Sequence, residues 1–529
     1  MVPGTDECLV FYFPLGYNVE KLKERTMSEN VLYNSTRGGV TGLTASRAIL
    51  TGLAPDGGLF VPDHFPKFDK TIDDFRSMDY RELAYHVMKL FFTDFTEEEL
   101  RACINAAYSD NFDEEEIVPL AETGRMTFLE LYHGPTIAFK DMALQILPHL
   151  MTTAAKKNGV ENDIVILTAT SGDTGKAALA GFADVSGTGI IVFYPQGGVS
   201  YFQERQMVTQ RGDNTHVVAI DGNFDDAQTG VKKLFGDKEL AESLNEKGIQ
   251  FSSANSINIG RLVPQIVYYV WGYTRMLNGE EIKPGETVDV CVPTGNFGNI
   301  LAAFYAKQLG LPIGKLICAS NTNKVLFDFF GSGEYDKNRE FTLTISPSMD
   351  ILVSSNLERL IYYISGNDAT KTAEFMKELQ TSGKYTITPE MKERLSDFRA
   401  GYATEADTLK AIHDIYEGYD YLIDTHTAVA AHVAGEYLKN NDGRRVLVAS
   451  TASPYKFARS VVHAVKGDEV PLTVSKTSPE EEWKLIEEVN SLSGRDIPQA
   501  VMDVKDAPTR HSTTCAVADM KDTVISLLS

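Results

Sequence analysis

Short runs of β-branched residues alternate with amphipathic segments from Thr127 onward, and this alternation constrains the fold more than any other feature. It is typical of βαβ units, whose strands pair in parallel. The predicted strands cover residues 164–168, 189–194, 216–220, 288–292, 316–319 and 445–449, and the predicted helices cover 176–182, 201–210, 226–235, 259–277, 300–309 and 427–438. This number of elements predicts an α/β fold with two parallel-sheet lobes.

The chain of 529 residues is long enough for several domains, and its composition changes along its length. Between Ser348 and Glu405 the strand pattern disappears and polar helical segments replace it, which indicates an insertion. The predicted domains are an extension (1–26), an N-terminal module (27–128), a large domain built from three segments (129–154, 257–347 and 405–469), a small α/β domain (155–256), a helical insertion (348–404) and an acidic C-terminal tail (470–529).

Charge and apolar patterning exclude several classes of partner. Lys and Arg number 50 against 73 Asp and Glu, and the resulting net charge of −23 repels nucleic acid. The five cysteines lie far apart without zinc spacing, so we expect thiols of a reducing compartment and predict no metal site. The densest apolar run, Ile266–Gly272, is shorter than the ~18 residues of a membrane span. We therefore expect a cytoplasmic protein that binds no membrane.

Two glycine-rich loops follow predicted strands, where ligands of parallel sheets bind. In Thr294–Asn299, Gly295 and Gly298 allow inward-facing N–H groups at the start of a helix, which predicts an anion site. Thr168–Gly175 is hydroxyl-rich and suits a carboxylate or a phosphate. The alternative is that either loop is only a tight strand-to-helix turn. Neither loop matches GxGxxG or GxxxxGK[ST], which argues against nicotinamide-dinucleotide and P-loop nucleotide binding.

Lys140 lies among Ala138, Phe139, Met142 and Ala143, an apolar setting that lowers the pKa of an amine. A desolvated lysine is a candidate for Schiff-base formation. The alternative is a surface lysine at the start of a helix. The single residue does not decide between these interpretations.

The segment Ala449–Phe457 follows the last predicted strand, and Ser450, Thr451 and Ser453 place hydroxyl groups at its end. By itself this pattern is only a helix cap. A Schiff-base lysine, a phosphate cradle and a hydroxyl donor in one sheet are, together, the groups needed to hold pyridoxal 5'-phosphate.

Four ordered motifs together resemble the threonine synthase family, in its longer bacterial and fungal type: His133–Asp141, Ser171–Gly175, Gly295–Asn299 and Thr451–Phe457. Shorter matches to the same family are Tyr33–Gly38, Ala54–Pro62, Asn255–Asn258 and Asp424–Thr427. The resemblance extends over roughly residues 31–465.

The resemblance implies a fold-type II pyridoxal-phosphate enzyme with an architecture like the tryptophan synthase β-subunit. Such an enzyme converts O-phospho-L-homoserine and water into L-threonine and phosphate, the last step of threonine biosynthesis from aspartate. It implies that Lys140 forms the Schiff base and that Thr451 faces the pyridine nitrogen. The residues implied to hold the cofactor phosphate are Gly295, Asn296, Phe297, Gly298 and Asn299. Asp173 occupies the position of an asparagine near the cofactor in related enzymes, and its contact with the cofactor stays open.

The substrate brings a second phosphate into an acidic protein, so a local cation must hold it. Arg261 is our first choice, although it could be an ordinary helix residue. The other candidate substrate contacts are Ser171, Thr174 and Asn258, and the alternative cations are Arg37 and Arg205. His133 is either stacked or hydrogen-bonded within the fold, and its role stays open.

Three other functions compete with this one. A threonine-synthase-like phospho-lyase would release phosphate and a 2-oxo acid, and the motifs do not separate it from threonine synthase. A dehydratase or β-replacement enzyme of the same fold would release no phosphate from O-phosphohomoserine. A catalytically inactive phosphoamino-acid-binding protein is disfavoured by the presence of Lys140. Whether the chain is a monomer or a homodimer stays open.

Overall fold

In a computed structural model, which describes residues 30–170, 172–472 and 478–529, the chain folds around a larger six-stranded and a smaller five-stranded β-sheet, and two two-stranded sheets accompany them. The strands of this part are β1 Tyr33–Ser35, β2 Phe60–Pro62, β3 Leu120–Thr123, β4 Met126–Glu130, β5 Asp163–Ala169, β6 Thr188–Pro195, β7 Thr215–Asp221, β8 Ile249–Ser252, β9 Val288–Pro293, β10 Ile313–Ser320, β11 Glu334–Asp336, β12 Lys384–Thr386, β13 Phe398–Tyr402, β14 Val446–Ser450 and β15 Thr513–Ala516.

The helices of the same part, in chain order, are α1 Ala45–Thr51, α2 Ile72–Phe75, α3 Tyr80–Met88, α4 Glu97–Ala107, α5 Asp141–Leu144, α6 Leu147–Lys157, α7 Asp173–Phe182, α8 Tyr201–Val208, α9 Phe224–Gly236, α10 Lys238–Glu246, α11 Ile259–Leu262, α12 Pro264–Asn278, α13 Gly298–Leu309, α14 Val325–Ser332, α15 Leu357–Ile364, α16 Ala369–Thr381, α17 Pro389–Glu393, α18 Glu405–Tyr419, α19 Thr425–Leu438, α20 Ala458–Lys466, α21 Pro479–Ser493, α22 Gln499–Lys505 and α23 Met520–Leu527.

The larger sheet has the strand order β13-β10-β9-β14-β4-β3, and its pairs are parallel except for β3 against β4. Its central strands β9 and β14 are buried at every residue, as expected for parallel strands covered by helices on both faces. The smaller sheet has the order β15-β7-β6-β5-β8 and is parallel throughout. The predicted α/β fold with two parallel-sheet lobes is confirmed.

Two segments differ from the sequence-based expectation. The insertion contributes two strands as well as helices: β13 pairs in parallel with β10, and β12 pairs with β11. The acidic tail contributes β15 as an edge strand of the smaller sheet. The edge strands β13 and β15 have one fully buried residue between them, Phe398, so their apolar pattern is weak and the sequence does not reveal them. The domain boundaries themselves stay predictions, and the predicted extension over 1–26 lies outside the described residues.

The N-terminal module packs against α12, which is buried along nearly its whole length. The rings of Tyr80 and Trp271 meet edge to face at 5.5 Å, and Trp271 Nε1 donates a 2.7 Å hydrogen bond to the carbonyl oxygen of Val118. Among the described residues, none of the helices has the length and apolar content that crossing a bilayer requires.

Candidate active site

The carboxyl ends of β4 and β14 lie side by side and bring Lys140 next to Thr451. Leu131 N donates to the carbonyl oxygen of Ser450 at 2.9 Å, and Phe139 N donates to that of Thr451 at 2.8 Å. Because these bonds tie the segment after β4 to the segment after β14, two candidate groups that are distant in sequence meet at one edge of the larger sheet.

Lys140 presents an amine that is almost fully removed from water. Its side chain is 11% exposed, and Nζ lies 3.1 Å from Ser348 Oγ and 3.6 Å from Asp173 Oδ2. Burial lowers the pKa of Lys140, and the positive charges of Lys456 and Arg261 add to this effect against the opposing charge of Asp173. A lowered pKa favours the neutral, nucleophilic amine that Schiff-base chemistry requires.

Asp173 is the first residue of α7 and reaches the site from the smaller sheet. It follows Gly172, where φ is 133° and a Cβ would lie 2.6 Å from Cδ of Gln203, so a larger residue would be strained there. Gln203 Nε2 donates to Asp173 Oδ1 at 2.9 Å, and Lys456 Nζ lies 3.3 Å from the same oxygen. Burial alone raises the pKa of Asp173, but the charges of Lys456 and Lys140 outweigh it, so this pKa lies well below its usual value.

Lys456 is a buried cation that the sequence interpretation assigned no role, although it lies inside the Thr451–Phe457 motif. Its Nζ donates to the carbonyl oxygen of Thr136 at 3.0 Å and to Gln206 Oε1 at 3.3 Å. Arg261 is also buried, with Nη1 donating to the carbonyl oxygen of Ala254 at 3.0 Å. Burial lowers the pKa of Arg261 to about 10.

A second buried pair adds to the charge of this region. Burial lowers the pKa of Lys176 to about 8 and raises the pKa of Asp141 to about 6. Asp141 accepts hydrogen bonds from Thr136 N at 2.8 Å and Thr136 Oγ1 at 2.7 Å, which holds the turn before Lys140. We call this group of buried charges the charge cluster; its members are Lys140, Lys176, Arg261, Lys456, Asp141 and Asp173. Even with Lys140 as a neutral amine, the other three cations outnumber the two carboxylates, so the cluster favours anionic ligands.

The glycine-rich turn at Gly295–Asn299 leads directly into α13, as predicted. Phe297 adopts a left-handed conformation with φ 66°, which turns the chain into the helix. A Cβ on Gly295 would lie 2.6 Å from the carbonyl oxygen of Ser348, so only glycine fits there. Asn299 Oδ1 accepts hydrogen bonds from the hydroxyl groups of Tyr268, at 2.8 Å, and Tyr269. Asn296 is exposed, and its carbonyl oxygen accepts from Asn356 N.

Three buried N–H donors of the region have no hydrogen-bond partner among the described residues: Arg261 Nε, Gln206 Nε2 and Asn299 Nδ2. Buried donors without partners are rare and call for a ligand or ordered water. Together with the helix N-terminus at α13 and the Lys140 amine, they provide the donors that an aldehyde cofactor with a phosphate group needs. The residues present therefore fit pyridoxal phosphate.

The other candidate substrate contacts lie in different surroundings. Asn258 caps α11, with Oδ1 accepting from Gly260 N at 2.8 Å and Nδ2 donating to the carbonyl oxygen of Ile49 at 2.9 Å, so each end of its amide contacts a backbone group. Thr174 is half-buried in the first turn of α7. Ser171 lies outside the described residues.

The two alternative cations pair with other parts of the protein. Arg37 forms an ion pair with Glu358 at 2.8 Å. Arg205 contacts the C-terminal tail, with bonds to Thr509 Oγ1 at 3.1 Å and to the carbonyl oxygen of Val504 at 3.2 Å. Of the three arginines considered, Arg261 is the one that belongs to the charge cluster.

His133 is held between two carboxylates at the end of β4. Its Nδ1 lies 2.7 Å from Asp113 Oδ1, and its Nε2 lies 2.9 Å from Glu130 Oε2. Burial lowers the pKa of His133, but these two hydrogen bonds outweigh burial and raise it to about 9. Arg495 from the tail also contacts Glu130, at 3.3 Å. The contacts of His133 tie Asp113 to the end of β4, and Arg495 joins the tail to the same strand through Glu130.

Ser348, Gln203 and Lys456 surround Asp173 but were missed by the sequence interpretation. Lys456 could have been found, because it lies within a quoted motif. Gln203 lies in an ordinary helix pattern, and Ser348 lies in the insertion without a motif. No local signal identifies these two residues.

Comparisons with known proteins show the family to which the chain belongs. Three family models match: "Threonine synthase N terminus" over residues 32–108, "Pyridoxal-phosphate dependent enzyme" over 121–451 and "Threonine synthase, C-terminal" over 427–513. The chain is 40% identical over 445 residues to threonine synthase-like 1 of Homo sapiens. The aligned region covers 81% of this chain and 59% of that protein. The chain thus spans 59% of the length of that relative.

Two further likenesses cover almost the whole of the related protein. Threonine synthase of Saccharomyces cerevisiae is 36% identical to this chain over 468 residues. The aligned region covers 82% of this chain and 89% of the yeast protein. The crystal structure of PLP-bound threonine synthase from Brucella melitensis superposes with a TM-score of 0.82 at 34% identity, covering 94% of this chain and 99% of that one. The motifs, the fold and these likenesses agree, and the chain belongs to the threonine synthase family of pyridoxal-phosphate-dependent enzymes.

Proposed function

We propose that this chain is a threonine synthase, which converts O-phospho-L-homoserine and water into L-threonine and phosphate. The observation that carries the proposal is the position of the Lys140 amine within a buried charge cluster rich in cations. A cofactor phosphate, a substrate phosphate and a substrate carboxylate bring several negative charges into a protein of net charge −23. A local excess of buried cations offsets the repulsion that they would otherwise meet.

Bound pyridoxal phosphate supplies the electron sink that allows protons to leave carbon atoms of the substrate. In our proposal Lys140 is the base that moves these protons at Cα, Cβ and Cγ, because its pKa is lowered towards the working pH. Phosphate leaves from Cγ, and water adds at Cβ. The low exposure of Lys140 and Asp173 limits competing reactions with bulk water.

The remaining site residues are assigned by position. We assign the cofactor phosphate to the turn Gly295–Asn299, because it opens a helix and carries Asn299 Nδ2, which finds no hydrogen-bond partner in the described part of the chain. We assign Thr451 to the pyridine nitrogen, where a neutral hydroxyl does not favour protonation of the ring. Arg261 is proposed to bind the substrate phosphate, since its buried Nε has no partner within the described residues. Ser171 and Thr174 are proposed to assist it.

A product assay tests the proposal. The purified protein, reconstituted with pyridoxal phosphate, is incubated with O-phospho-L-homoserine, and threonine, 2-oxobutyrate and phosphate are quantified. We expect equal amounts of threonine and phosphate. Release of phosphate with 2-oxobutyrate, or no release of phosphate, would contradict the proposal.

A second candidate is a phospho-lyase that releases phosphate and a 2-oxo acid from the same class of substrate. The 40% identity to threonine synthase-like 1, whose name sets it apart from threonine synthase, favours keeping this candidate. The motifs do not separate the two activities. The ratio of threonine to 2-oxo acid in the product assay decides between them.

We also propose that the protein works in the cytoplasm. The described cysteines Cys103, Cys291, Cys318 and Cys515 are free thiols, which supports a reducing compartment. Cell fractionation followed by detection of the protein tests this assignment, and recovery in an oxidising compartment would contradict it.

A further inference from the structure

The Asp424–Thr427 segment has received no role so far, yet it reaches both sides of the site. Asp424 caps α19, and its Oδ2 accepts from His426 N at 2.8 Å and from His426 Nδ1 at 2.9 Å. On the other side, Thr427 Oγ1 accepts from Thr451 N at 3.2 Å. Because Nδ1 of His426 donates to a carboxylate, the hydrogen-bond network assigns Nε2 as an acceptor.

His426 Nε2 receives its hydrogen bond from the backbone of Ser348. Ser348 N donates to it at 3.1 Å, so the orientation of the imidazole determines the position of Ser348. The same loop passes over the glycine-rich turn, where Ser348 O would meet a Cβ on Gly295 at 2.6 Å. Ser348 is therefore held at its backbone nitrogen by His426 of α19, and its carbonyl group lies close to the turn that follows β9.

The hydroxyl group of Ser348 lies between the two charged groups of the site. A hydroxyl has one proton, and Ser348 Oγ donates it to Asp173 Oδ2 at 3.2 Å. Its contact with Lys140 Nζ at 3.1 Å is therefore one in which the amine donates and the hydroxyl accepts. One N–H of Lys140 is held in this way, and the amine lone pair must point elsewhere.

We propose that Ser348 is a catalytic residue that holds the free amine of Lys140 by one N–H and leaves its lone pair directed at the substrate. His426 is a positioning residue that acts through Ser348. The inference rests on the proposed function in one respect, namely that Lys140 moves protons of the substrate. No proton passes to Asp173, because the neighbouring cations keep this carboxylate ionised.

A direct test measures the amine itself, without substrate. In the cofactor-free protein, acetylation of Lys140 by acetic anhydride is followed against pH by peptide mapping. The charged groups that face the amine are Asp173, Lys456 and Arg261, and none of them is changed. Removing a hydroxyl that accepts from the ammonium form disfavours that form. In Ser348→Ala the midpoint for acetylation therefore moves to lower pH, whereas in Ser348→Thr it stays near the wild-type value.

Kinetics of the reconstituted enzyme supply the second measurement. We expect Ser348→Ala to lower kcat by about tenfold or more and to change KM by about twofold at most. The variant loses only the orientation of the Lys140 lone pair towards the substrate and no group that binds the substrate. Ser348→Thr retains the hydroxyl group and should stay within about threefold of wild type. A wild-type acetylation midpoint together with wild-type kcat in Ser348→Ala would overturn the assignment.

A pair of His426 variants separates the positioning of Ser348 from a general contribution of His426 to the fold. In His426→Gln, Oε1 replaces the Nε2 acceptor for Ser348 N, whereas His426→Asn retains only the contact to Asp424. The glutamine variant should retain at least about fivefold more kcat than the asparagine variant. Equal rates in the two variants would overturn the positioning role of His426. If Ser348→Ala does not fold, the comparison of His426→Gln with His426→Asn tests the role of Ser348 instead. If the wild-type protein forms a 2-oxo acid, the proposed function fails while the acetylation result still stands.

Discussion

Lys140 Nζ and Asp173 Oδ2 lie 3.6 Å apart, and the two residues come from different sheets. Lys140 follows β4 of the larger sheet, whereas Asp173 begins α7 after β5 of the smaller sheet. The ion pair therefore exists only when the two lobes are together, and it places the site in the cleft between them. Because both side chains are nearly buried, their interaction is screened far less than a surface ion pair.

Lys140→Ala should abolish turnover and the covalent labelling of the protein by borohydride in the presence of pyridoxal phosphate. The physical reason is that the chain then lacks the buried amine on which the reaction depends. Product formation and mass spectrometry of the labelled peptide measure the two effects. Lys410→Ala is the control, because this lysine is 71% exposed on α18. Turnover near the wild-type rate in Lys140→Ala would refute the role of this lysine.

Arg261→Ala should raise KM for O-phospho-L-homoserine more than tenfold. A charge-assisted hydrogen bond contributes about 1.5–3 kcal/mol, which corresponds to at least this change in affinity. Steady-state kinetics on the reconstituted enzyme measure it. Arg205→Ala is the matched control, since Arg205 contacts the C-terminal tail, and its KM should change less than about twofold. A change of twofold or less in Arg261→Ala would assign the substrate phosphate to another cation.

Gly295→Ala should destabilise the cofactor-free protein, whereas Gly298→Ala should not. The new Cβ would meet the Ser348 carbonyl oxygen at 2.6 Å in the first variant, but its nearest neighbour is 3.5 Å away in the second. Overpacking of this kind costs about 1–3 kcal/mol. Urea unfolding of the two variants side by side measures the difference. Equal unfolding midpoints would contradict the close approach of Ser348 to the turn.

His133→Gln should reduce the free energy of unfolding more at pH 6 than at pH 10. The pKa of His133 is raised to about 9 in the folded protein, so the folded state binds this proton more tightly than the unfolded chain. The resulting stabilisation, about 3 kcal/mol, is fully present below pH about 6.5 and is lost as the pH rises through about 9.

Denaturant unfolding at the two pH values measures the effect of His133. His413→Gln, which changes a half-exposed histidine on α18, is the control and should show little difference between the two pH values. A loss of stability in His133→Gln that is equal at pH 6 and pH 10 would contradict a charged imidazole between Asp113 and Glu130.

Much of the site was predictable because its residues follow strands. The positions of Thr451 and the turn Gly295–Asn299 could be inferred from the rule that ligands bind at the carboxyl ends of parallel strands. Lys140 is indicated instead by its apolar sequence neighbours and by the His133–Asp141 motif, because the predicted strands begin only at residue 164. The cations could be anticipated only in part. Arg261 was chosen because an acidic protein needs a local cation for a phosphate, whereas the burial of Lys456 depends on contacts with Thr136 and Gln206 that no motif displays.

The sequence alone determined the α/β class, the two parallel sheets and the motifs that carry the chemistry, because apolar periodicity and strand-to-helix turns are local properties of a chain. Only the tertiary structure decided which charges meet. Lys140 and Asp173 meet although they follow strands of different sheets. Ser348 contacts both residues from a loop whose position depends on His426. Burial, and with it the lowered pKa of Lys140, arises from packing between distant segments, and this packing leaves no local pattern in the sequence.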